Sequence, residues 1–196
     1  TILDCIGDTS LVPLRNVVPE NGVRILLKLE SENPTGSMKD RVALAMVEVP
    51  EADGRLPKGG AVVEYTGGST GVSLALVCAV KGHPLHIVSS DVFAREKLDH
   101  MRALGAKLEI VKSDSGRMTE KLTRDMIEAA RVIVEKNGGF WTDQLNNTDQ
   151  ISAYHRMAEE IWSQTGGHID TFVQSVGTAA SLREAVTRPA RSVTSP

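Results

Sequence analysis

Residues 33–41 read NPTGSMKDR and place one lysine, Lys39, directly after a glycine turn and at the start of an apolar helical pattern. Ser37 is the predicted N-cap of that helix, so Lys39 lies near the positive end of the helix dipole, which favours a neutral amine. A desolvated lysine with a lowered pKa can attack a carbonyl carbon and form a Schiff base. The stretch makes Lys39 a candidate covalent lysine, although by itself it favours the alternative of a solvated surface lysine.

A glycine-containing loop follows a second apolar run. Residues 61–65 (AVVEY) have the pattern of a strand, residues 66–71 read TGGSTG, and residues 72–80 (VSLALVCAV) are small and apolar enough for a buried helix. Glycines allow close backbone approach, and hydroxyls with helix-terminal amides suit a carboxylate or a phosphate. The loop predicts an anion site, although a tight turn into a helix without a ligand gives the same pattern.

A third segment has the same context. Residues 171–176 (TFVQSV) resemble a strand and precede GTAAS at residues 177–181, before a possible helix from Leu182. Backbone amides at a helix N-terminus would face an anion there. This segment predicts a phosphate cup made by Gly177, Thr178, Ala179, Ala180 and Ser181.

Together the segments resemble the pyridoxal-phosphate (PLP) enzymes of fold type II, specifically the cysteine synthase (O-acetylserine sulfhydrylase) and cystathionine β-synthase family. The resemblance covers about residues 6–182. It is carried, in order, by IGDTSLVPL (6–14), KLESENPTGSMKDR (28–41), TGGSTG (66–71), QLNN (144–147), EEIW (159–162), TGGHIDTFVQSVG (165–177) and GTAAS (177–181).

The resemblance implies a role for each matching position. Lys39 would be the Schiff-base lysine, residues 177–181 would hold the cofactor phosphate, and Ser69 would face the cofactor ring. The substrate carboxylate would be bound by Thr66, Gly67, Gly68, Ser69, Thr70 and Gln144. No metal site is expected.

The implied reaction is β-replacement on an activated serine. In it, a lysine Schiff base gives way to an aminoacrylate, to which a thiol or sulfide adds, as when O-acetylserine and sulfide give cysteine and acetate. The loops do not choose between O-acetylserine, O-phosphoserine and serine, which share one α-carboxylate and amine. A truncated, non-catalytic fragment that binds PLP or a partner is the alternative.

Several positions depart from the family pattern. The family loop usually reads TSGNTG, so Gly67 replaces a serine and Ser69 an asparagine, while Ala179 and Ala180 stand where glycines are usual. Pro50 predicts that the lysine-bearing helix ends at or before Val49. Residues 183–196 (REAVTRPARSVTSP) read as a disordered tail in place of the rest of the larger lobe, which predicts a truncated or frame-altered product or a tail that folds with a partner chain.

Composition is that of a soluble enzyme. The chain has 196 residues, 41% of them hydrophobic, and a net charge of −3, with no nucleic-acid or membrane signature. Neither a signal peptide nor a membrane span is evident, and Cys5 and Cys78 read as reduced small hydrophobes. We expect a cytoplasmic homodimer that acts on a small amino-acid substrate.

Strand and helix patterns alternate, which predicts an α/β fold with parallel sheets covered by helices. The resemblance makes this a two-lobed, tryptophan synthase β-like fold with an incomplete large lobe: residues 1–38 and 142–182 in the larger lobe, 39–141 in the smaller and 183–196 a tail. Predicted strands are 24–29, 61–65, 85–89, 107–111 and 171–176; predicted helices are 39–47, 70–81, 94–104, 119–137 and 152–165.

A nicotinamide dehydrogenase is the competing reading of the strand–loop–helix unit. TGGSTG lacks the GxGxxG spacing, which argues against it. Asp91 lies close enough to the expected position of a ribose-binding acid to keep this alternative open.

Overall fold

The centre of the protein is a parallel sheet of four strands, seen in a computed structural model that describes residues 1–16, 18 and 22–175. Its strands are β3 (Val62–Tyr65), β4 (Leu85–Ser90), β5 (Lys107–Val111) and β6 (Phe140–Trp141), in the spatial order β5-β4-β3-β6. All three pairings are parallel. This confirms the α/β class predicted from the alternating patterns.

Helices cover both faces of this sheet. They are α1 (Lys39–Asp53), α2 (Ser69–Lys81), α3 (Arg95–Ala103), α4 (Glu120–Asn137) and α5 (Ile151–Gln164). On one face α4 packs against Val63, Tyr65 and Val88, because Leu122, Met126 and Ala130 recur along one helix stripe. On the other face α2 contacts the sheet, α1 packs on α2, and α5 packs on α1.

The central strands are apolar because they are buried on both sides. Val62 belongs to the core beneath α2, whereas Val63 and Tyr65 belong to the core beneath α4, as the two-residue period of a strand requires. Glu64 is therefore a carboxylate on the α2 side of a strand whose every residue is buried. The carboxyl end of β3 leads directly into the TGGSTG loop and α2.

The predicted end of the lysine-bearing helix at or before Val49 is wrong. Helix α1 continues through Pro50 to Asp53 and ends at Gly54, whose φ of 85° is left-handed. Proline removes one helical hydrogen bond and costs about 3 kcal/mol in a helix interior. Here Pro50 is itself buried, as are Met46 and Val47, and burial of this apolar face offsets that cost.

Two expectations about strands also need correction. Residues 171–175, the described part of the predicted strand 171–176, do not form one, since no described segment pairs with them. Near the N-terminus, β1 (Leu11–Pro13) and β2 (Leu26–Lys28) form an antiparallel pair outside the main sheet. The sheets are thus not all parallel, and the strand predicted over 24–29 contracts to the three residues that β1 can pair.

The division into two lobes stays a prediction, and the tail 183–196 lies outside the described residues. Among the residues that the structure describes, no helix has the length and apolar character needed to cross a membrane.

Candidate active site

Lys39 is the first residue of α1, and the turn before it fixes the direction of the helix. The formal cap position is Met38, which makes no side-chain cap. Ser37, one residue earlier, takes over the predicted capping role: its Oγ accepts from the Lys39 N–H at 3.1 Å, and its carbonyl accepts from the Asp40 N–H at 3.1 Å. The predicted N-cap residue therefore caps the helix from one position further out.

The Lys39 side chain is partly buried. Its Nζ donates to the Tyr154 Oη at 3.1 Å and lies 5.8 Å from the centroid of that ring. Burial lowers the pKa of Lys39, and burial raises the pKa of Tyr154 to about 12. No ion pair among the described residues involves Lys39, so its neutral, nucleophilic form is favoured.

A buried carboxylate next to Lys39 ties the lysine segment to α2. Asp40 Oδ1 accepts from Ser73 Oγ and from Thr35 Oγ1, both at 2.5 Å, and its Oδ2 accepts from the Thr35 N–H at 2.7 Å. Since α2 begins at Ser69 within the TGGSTG segment, this network connects that segment to the helix of Lys39. Sequence reasoning had not assigned Asp40 or Ser73 to the site.

The TGGSTG loop lies at the carboxyl end of β3, where ligands bind in open α/β sheets. The Thr66 N–H donates to the Val88 carbonyl at 2.9 Å, and Thr66 Oγ1 accepts from the Gly68 N–H at 3.3 Å. Thr66 and Gly67 are buried, whereas Gly68 and Ser69 are partly exposed. The exposed side of the loop is thus the N-terminus of α2, which suits an anion.

Gly67 is fixed by an aromatic ring that sequence reasoning missed. A Cβ at this position would lie 1.9 Å from Phe93 Cδ2 and Cγ. Any side chain at residue 67 would therefore displace the ring. Gly67, which stands where the family usually has a serine, therefore packs directly against Phe93, the phenylalanine after β4.

Gln144 joins the loop from a distant part of the chain, as the resemblance implied. Its Oε1 accepts from Thr70 Oγ1 at 2.7 Å, and its Nε2 donates to the Tyr65 carbonyl at 3.5 Å. Gln150 Nε2 donates to the Gln144 carbonyl at 2.9 Å and fixes the backbone there. Thr66, Gly67, Gly68, Ser69, Thr70 and Gln144 thus form one group, and the predicted phosphate residues Gly177, Thr178, Ala179, Ala180 and Ser181 lie outside the described residues.

Glu64 also touches this group and was not predicted. Its fully buried carboxylate accepts from Tyr65 N–H, Thr142 Oγ1 and Gln144 N–H. Burial raises the pKa of Glu64 to about 7, although the hydrogen bonds oppose the rise. The signal that could have found it was one charge in an otherwise apolar strand, AVVEY.

The competing sites have structural roles. Asp91 accepts from the Ser113 N–H at 2.9 Å, and that hydrogen bond lowers its pKa to about 2, so Asp91 anchors a turn after β4. Burial raises the pKa of Cys78 to about 12, which disfavours a thiolate, whereas Cys5 is exposed and does not pack as the small hydrophobe we expected. No group of three metal-ligating side chains occurs within the described ranges.

Comparison with known proteins decides the family. A family model described as "pyridoxal-phosphate dependent enzyme" matches residues 2–183. The chain belongs to this family of PLP-dependent enzymes. Family membership confirms the resemblance on which the lysine and loop roles were based.

Named relatives narrow the likeness further. Cysteine synthase B of Escherichia coli is 39% identical over 183 residues, which are 93% of this chain and 58% of that protein. A cysteine synthase structure from Entamoeba histolytica superposes with a TM-score of 0.89 at 34% identity, over 99% of this chain and 57% of that one. A hydrogen sulfide-producing enzyme from Fusobacterium nucleatum gives 0.89 at 30% identity, over 98% and 62%. The chain spans less than two thirds of each relative, and its fold is that of the fold type II enzymes.

The described residues fit the cofactor of this family. PLP needs an amine that can be neutral, and Lys39 supplies one at the start of α1 without a carboxylate partner in an ion pair. A Cβ at Gly68 would meet nothing within 4 Å, so the N-terminus of α2 has room for an anion. The lowered pKa of Lys39 and the open space at Gly68 therefore both fit the cofactor.

Proposed function

We propose that this chain carries out, or forms part of an enzyme that carries out, PLP-dependent β-replacement on an activated serine. The reaction would be cysteine synthase-like, with O-acetylserine and sulfide giving cysteine and acetate. The observation that supports the proposal is the partly buried Lys39 amine, whose pKa is lowered by burial and whose partner is the neutral Tyr154 phenol. The relatives named cysteine synthase support the choice of reaction.

Each residue of the site has a proposed role. Lys39 would hold PLP covalently, Ser69 would face its ring, and residues 177–181 would bind its phosphate. The α2 N-terminus would bind the substrate carboxylate, with Thr66, Gly67, Gly68, Ser69, Thr70 and Gln144 around it. When bound, PLP supplies an electron sink for the carbon next to the carboxylate.

The chain's own contribution is to move one proton and to orient one anion. Lys39 Nζ in its neutral form accepts the α-proton of the substrate, because burial disfavours the charged amine and Tyr154 Oη holds it in place. The amides at the start of α2 face the carboxylate, and the Asp40–Ser73 bond keeps that helix at a fixed distance from Lys39. The lysine and the carboxylate site therefore act on one bound molecule.

A direct test begins with the covalent lysine. The purified chain is incubated with PLP, treated with borohydride to fix the cofactor to its lysine, digested and analysed by peptide mass. We expect the label on Lys39, no label in Lys39→Ala, and an unchanged label in Lys58→Ala, which removes an exposed lysine as a matched control. A label spread over surface lysines would contradict the assignment.

Turnover separates the proposal from its alternative. Cysteine formed from O-acetylserine and sulfide, and lost in Lys39→Ala, would establish β-replacement. A label on Lys39 without cysteine would establish a PLP-binding chain without turnover. The homodimer and the cytoplasmic location stay predictions, which sedimentation and cell fractionation would test.

A further inference from the structure

Glu64 brings together segments that are far apart in sequence. Its Oε1 accepts from the Tyr65 N–H at 2.9 Å, on the strand that leads into the TGGSTG loop. Its Oε2 accepts from Thr142 Oγ1 at 2.6 Å and from the Gln144 N–H at 3.1 Å, both beyond β6. One carboxylate therefore joins the two segments that meet at the proposed substrate site.

The same two segments are also joined directly, through Gln144. The Gln144 side chain accepts from Thr70 and donates to the Tyr65 carbonyl, while its backbone N–H donates to Glu64. If the carboxylate moved, the Gln144 N–H would lose its acceptor. The Gln144 backbone, and with it the position of the side chain, would then be less well fixed. The position of Gln144 relative to Thr70 thus depends on Glu64.

We propose that Glu64 is a positioning residue, which holds Gln144 and the TGGSTG loop in the arrangement that binds the substrate carboxylate. The inference rests on the proposed function for the identity of that substrate. The hydrogen bonds that support this role of Glu64 are all within the chain, so they can be tested without the cofactor and without measuring turnover.

Protonation of Glu64 would change what it can hold. The Thr142 hydroxyl has two acceptors in reach, Glu64 Oε2 at 2.6 Å and the Val63 carbonyl at 3.4 Å. A protonated Glu64 can donate to Thr142 Oγ1 while the Thr142 hydroxyl turns to Val63, and Oε2 then becomes a weaker acceptor for Gln144 N–H. The hold on Gln144 is therefore strongest when Glu64 is charged.

The surroundings place this change near neutral pH. Glu64 makes no ion pair with a described residue, and burial raises its pKa to about 7. The charge that bears on it is the carboxylate of Asp143, which raises the pKa further, while hydrogen bonds from Thr142, Gln144 and Tyr65 lower it. The positioning contacts should therefore titrate within an accessible range.

The test uses the amides that donate to Glu64. The chain contains two tyrosines, so ¹⁵N-tyrosine labelling gives two backbone signals, and Tyr154→Phe assigns them. A second sample labelled with ¹⁵N-glutamine reports Gln144, assigned with Gln144→Asn. We expect the Tyr65 and Gln144 amide signals to shift together with one midpoint at about pH 7, and to stop doing so in Glu64→Gln.

Control variants separate positioning from general damage. Glu109→Gln makes the same change at an exposed position of β5, which β4 separates from the strand of Glu64, and should leave both titrations unchanged. Thr142→Val keeps the Glu64 charge but removes a donor that favours it, so the common midpoint should move to higher pH. Thr142→Ser keeps the hydroxyl and should restore the wild-type midpoint.

Kinetics supply the functional arm. In Glu64→Gln we expect the KM for O-acetylserine to rise about tenfold while kcat changes less than about twofold, because binding is lost without loss of the Lys39 chemistry. Wild-type amides that titrate separately, or a common titration that persists in Glu64→Gln, would overturn the inference. If Glu64→Gln does not fold, the unmoved midpoint of Thr142→Val would overturn it instead.

The two proposals fail in different ways. A chain without a Lys39 label but with the joint titration would refute the proposed function and leave Glu64 as the residue that holds Gln144. A chain with a PLP label on Lys39, but whose Tyr65 and Gln144 amides do not titrate with Glu64, would refute the role of Glu64 and leave the proposed function standing.

Discussion

The partly buried Lys39 and the buried Arg41 lie on the first turn of the same helix, and their side chains have opposite kinds of partner. Arg41 donates from Nε and Nη2 to Glu30 at 2.8 and 2.9 Å, and from Nη1 and Nη2 to Glu160 at 2.5 and 2.7 Å. Burial by itself would lower the pKa of Arg41, but these hydrogen bonds raise it. Lys39 has the Tyr154 phenol instead, and burial lowers its pKa.

The two cations of one helix differ in the partners that surround them. A buried cation surrounded by carboxylates keeps its charge and joins elements, here α1, α5 and the turn at Glu30. A partly buried amine without a carboxylate partner loses its charge more easily, and a nucleophile or base needs the neutral form. The partner, more than burial itself, decides between structure and chemistry.

The largest effect should follow from breaking the Arg41 network. Glu160→Gln leaves the Arg41 charge buried with half of its carboxylate partners, and we expect a loss of about 3–5 kcal/mol in the free energy of unfolding. Urea titration measures it. Glu120→Gln, which removes an exposed ion pair with Arg124 on α4, should cost less than about 1 kcal/mol. Equal losses would mean that burial does not separate these pairs.

The same network predicts that the protein loses stability at acidic pH. Although burial opposes it, hydrogen bonds from Arg41 and Lys28 lower the pKa of Glu160 to about 2. A carboxyl with a lowered folded-state pKa contributes stability above its unfolded value, near 4.5, and loses that contribution as the pH falls toward 2. Unfolding curves between these pH values should show the loss in the wild type and not in Glu160→Gln.

Glu64 should produce the next largest effect, with the opposite sign. Its pKa is raised from 4.5 to about 7, so the folded chain binds a proton in that window and the unfolded chain does not. The contribution of Glu64 to the free energy of unfolding therefore falls as the pH rises from about 4.5 to 7, by roughly 3 kcal/mol in all. Glu64→Gln lacks this contribution, so subtracting its free energy of unfolding from that of the wild type at each pH isolates it. A difference that stays constant or rises between pH 4.5 and 7 would contradict the raised pKa of Glu64.

Removing the unpaired cation should cost little stability. Lys39→Met keeps the length of the side chain and removes an amine that burial disfavours in its charged form, so the free energy of unfolding should change by less than about 1 kcal/mol. The wild type should gain stability as the pH rises from the lowered pKa of Lys39 toward 10.5, and this gain should be absent in Lys39→Met. A loss comparable with that of Glu160→Gln would make Lys39 a structural cation.

The smallest effect concerns the phenol that contacts Lys39. Tyr154→Phe removes one hydrogen bond and should lower the free energy of unfolding by about 1 kcal/mol or less. The pKa of Lys39 should fall further, because the hydroxyl accepts from the amine and favours its charged form. The pH dependence of Lys39 labelling by an amine reagent measures this shift, and a rise would mean that Tyr154 does not act as an acceptor.

Local sequence patterns predicted several helices and loops, including those that carry the candidate site. The helix at Lys39, the loop TGGSTG between strand and helix, and the helix capped by Thr119 depend on residues within one or two turns of each other. Proline rules failed at Pro50 because a buried face compensated for a local penalty. The antiparallel pair β1–β2 was missed because three-residue strands carry almost no periodic signal.

Local sequence patterns predicted the order of the segments: the lysine after its glycine turn, the hydroxyl-rich loop after a strand, and the α/β alternation around them. The pairing of charges depends instead on contacts between segments that are far apart in the chain. Glu160 reaches Arg41 across 119 positions, and Gln144 reaches Glu64 across 80. Such partners decide whether a buried group stays charged, and neither propensity nor periodicity records them, because both act over a few residues while electrostatics acts through space.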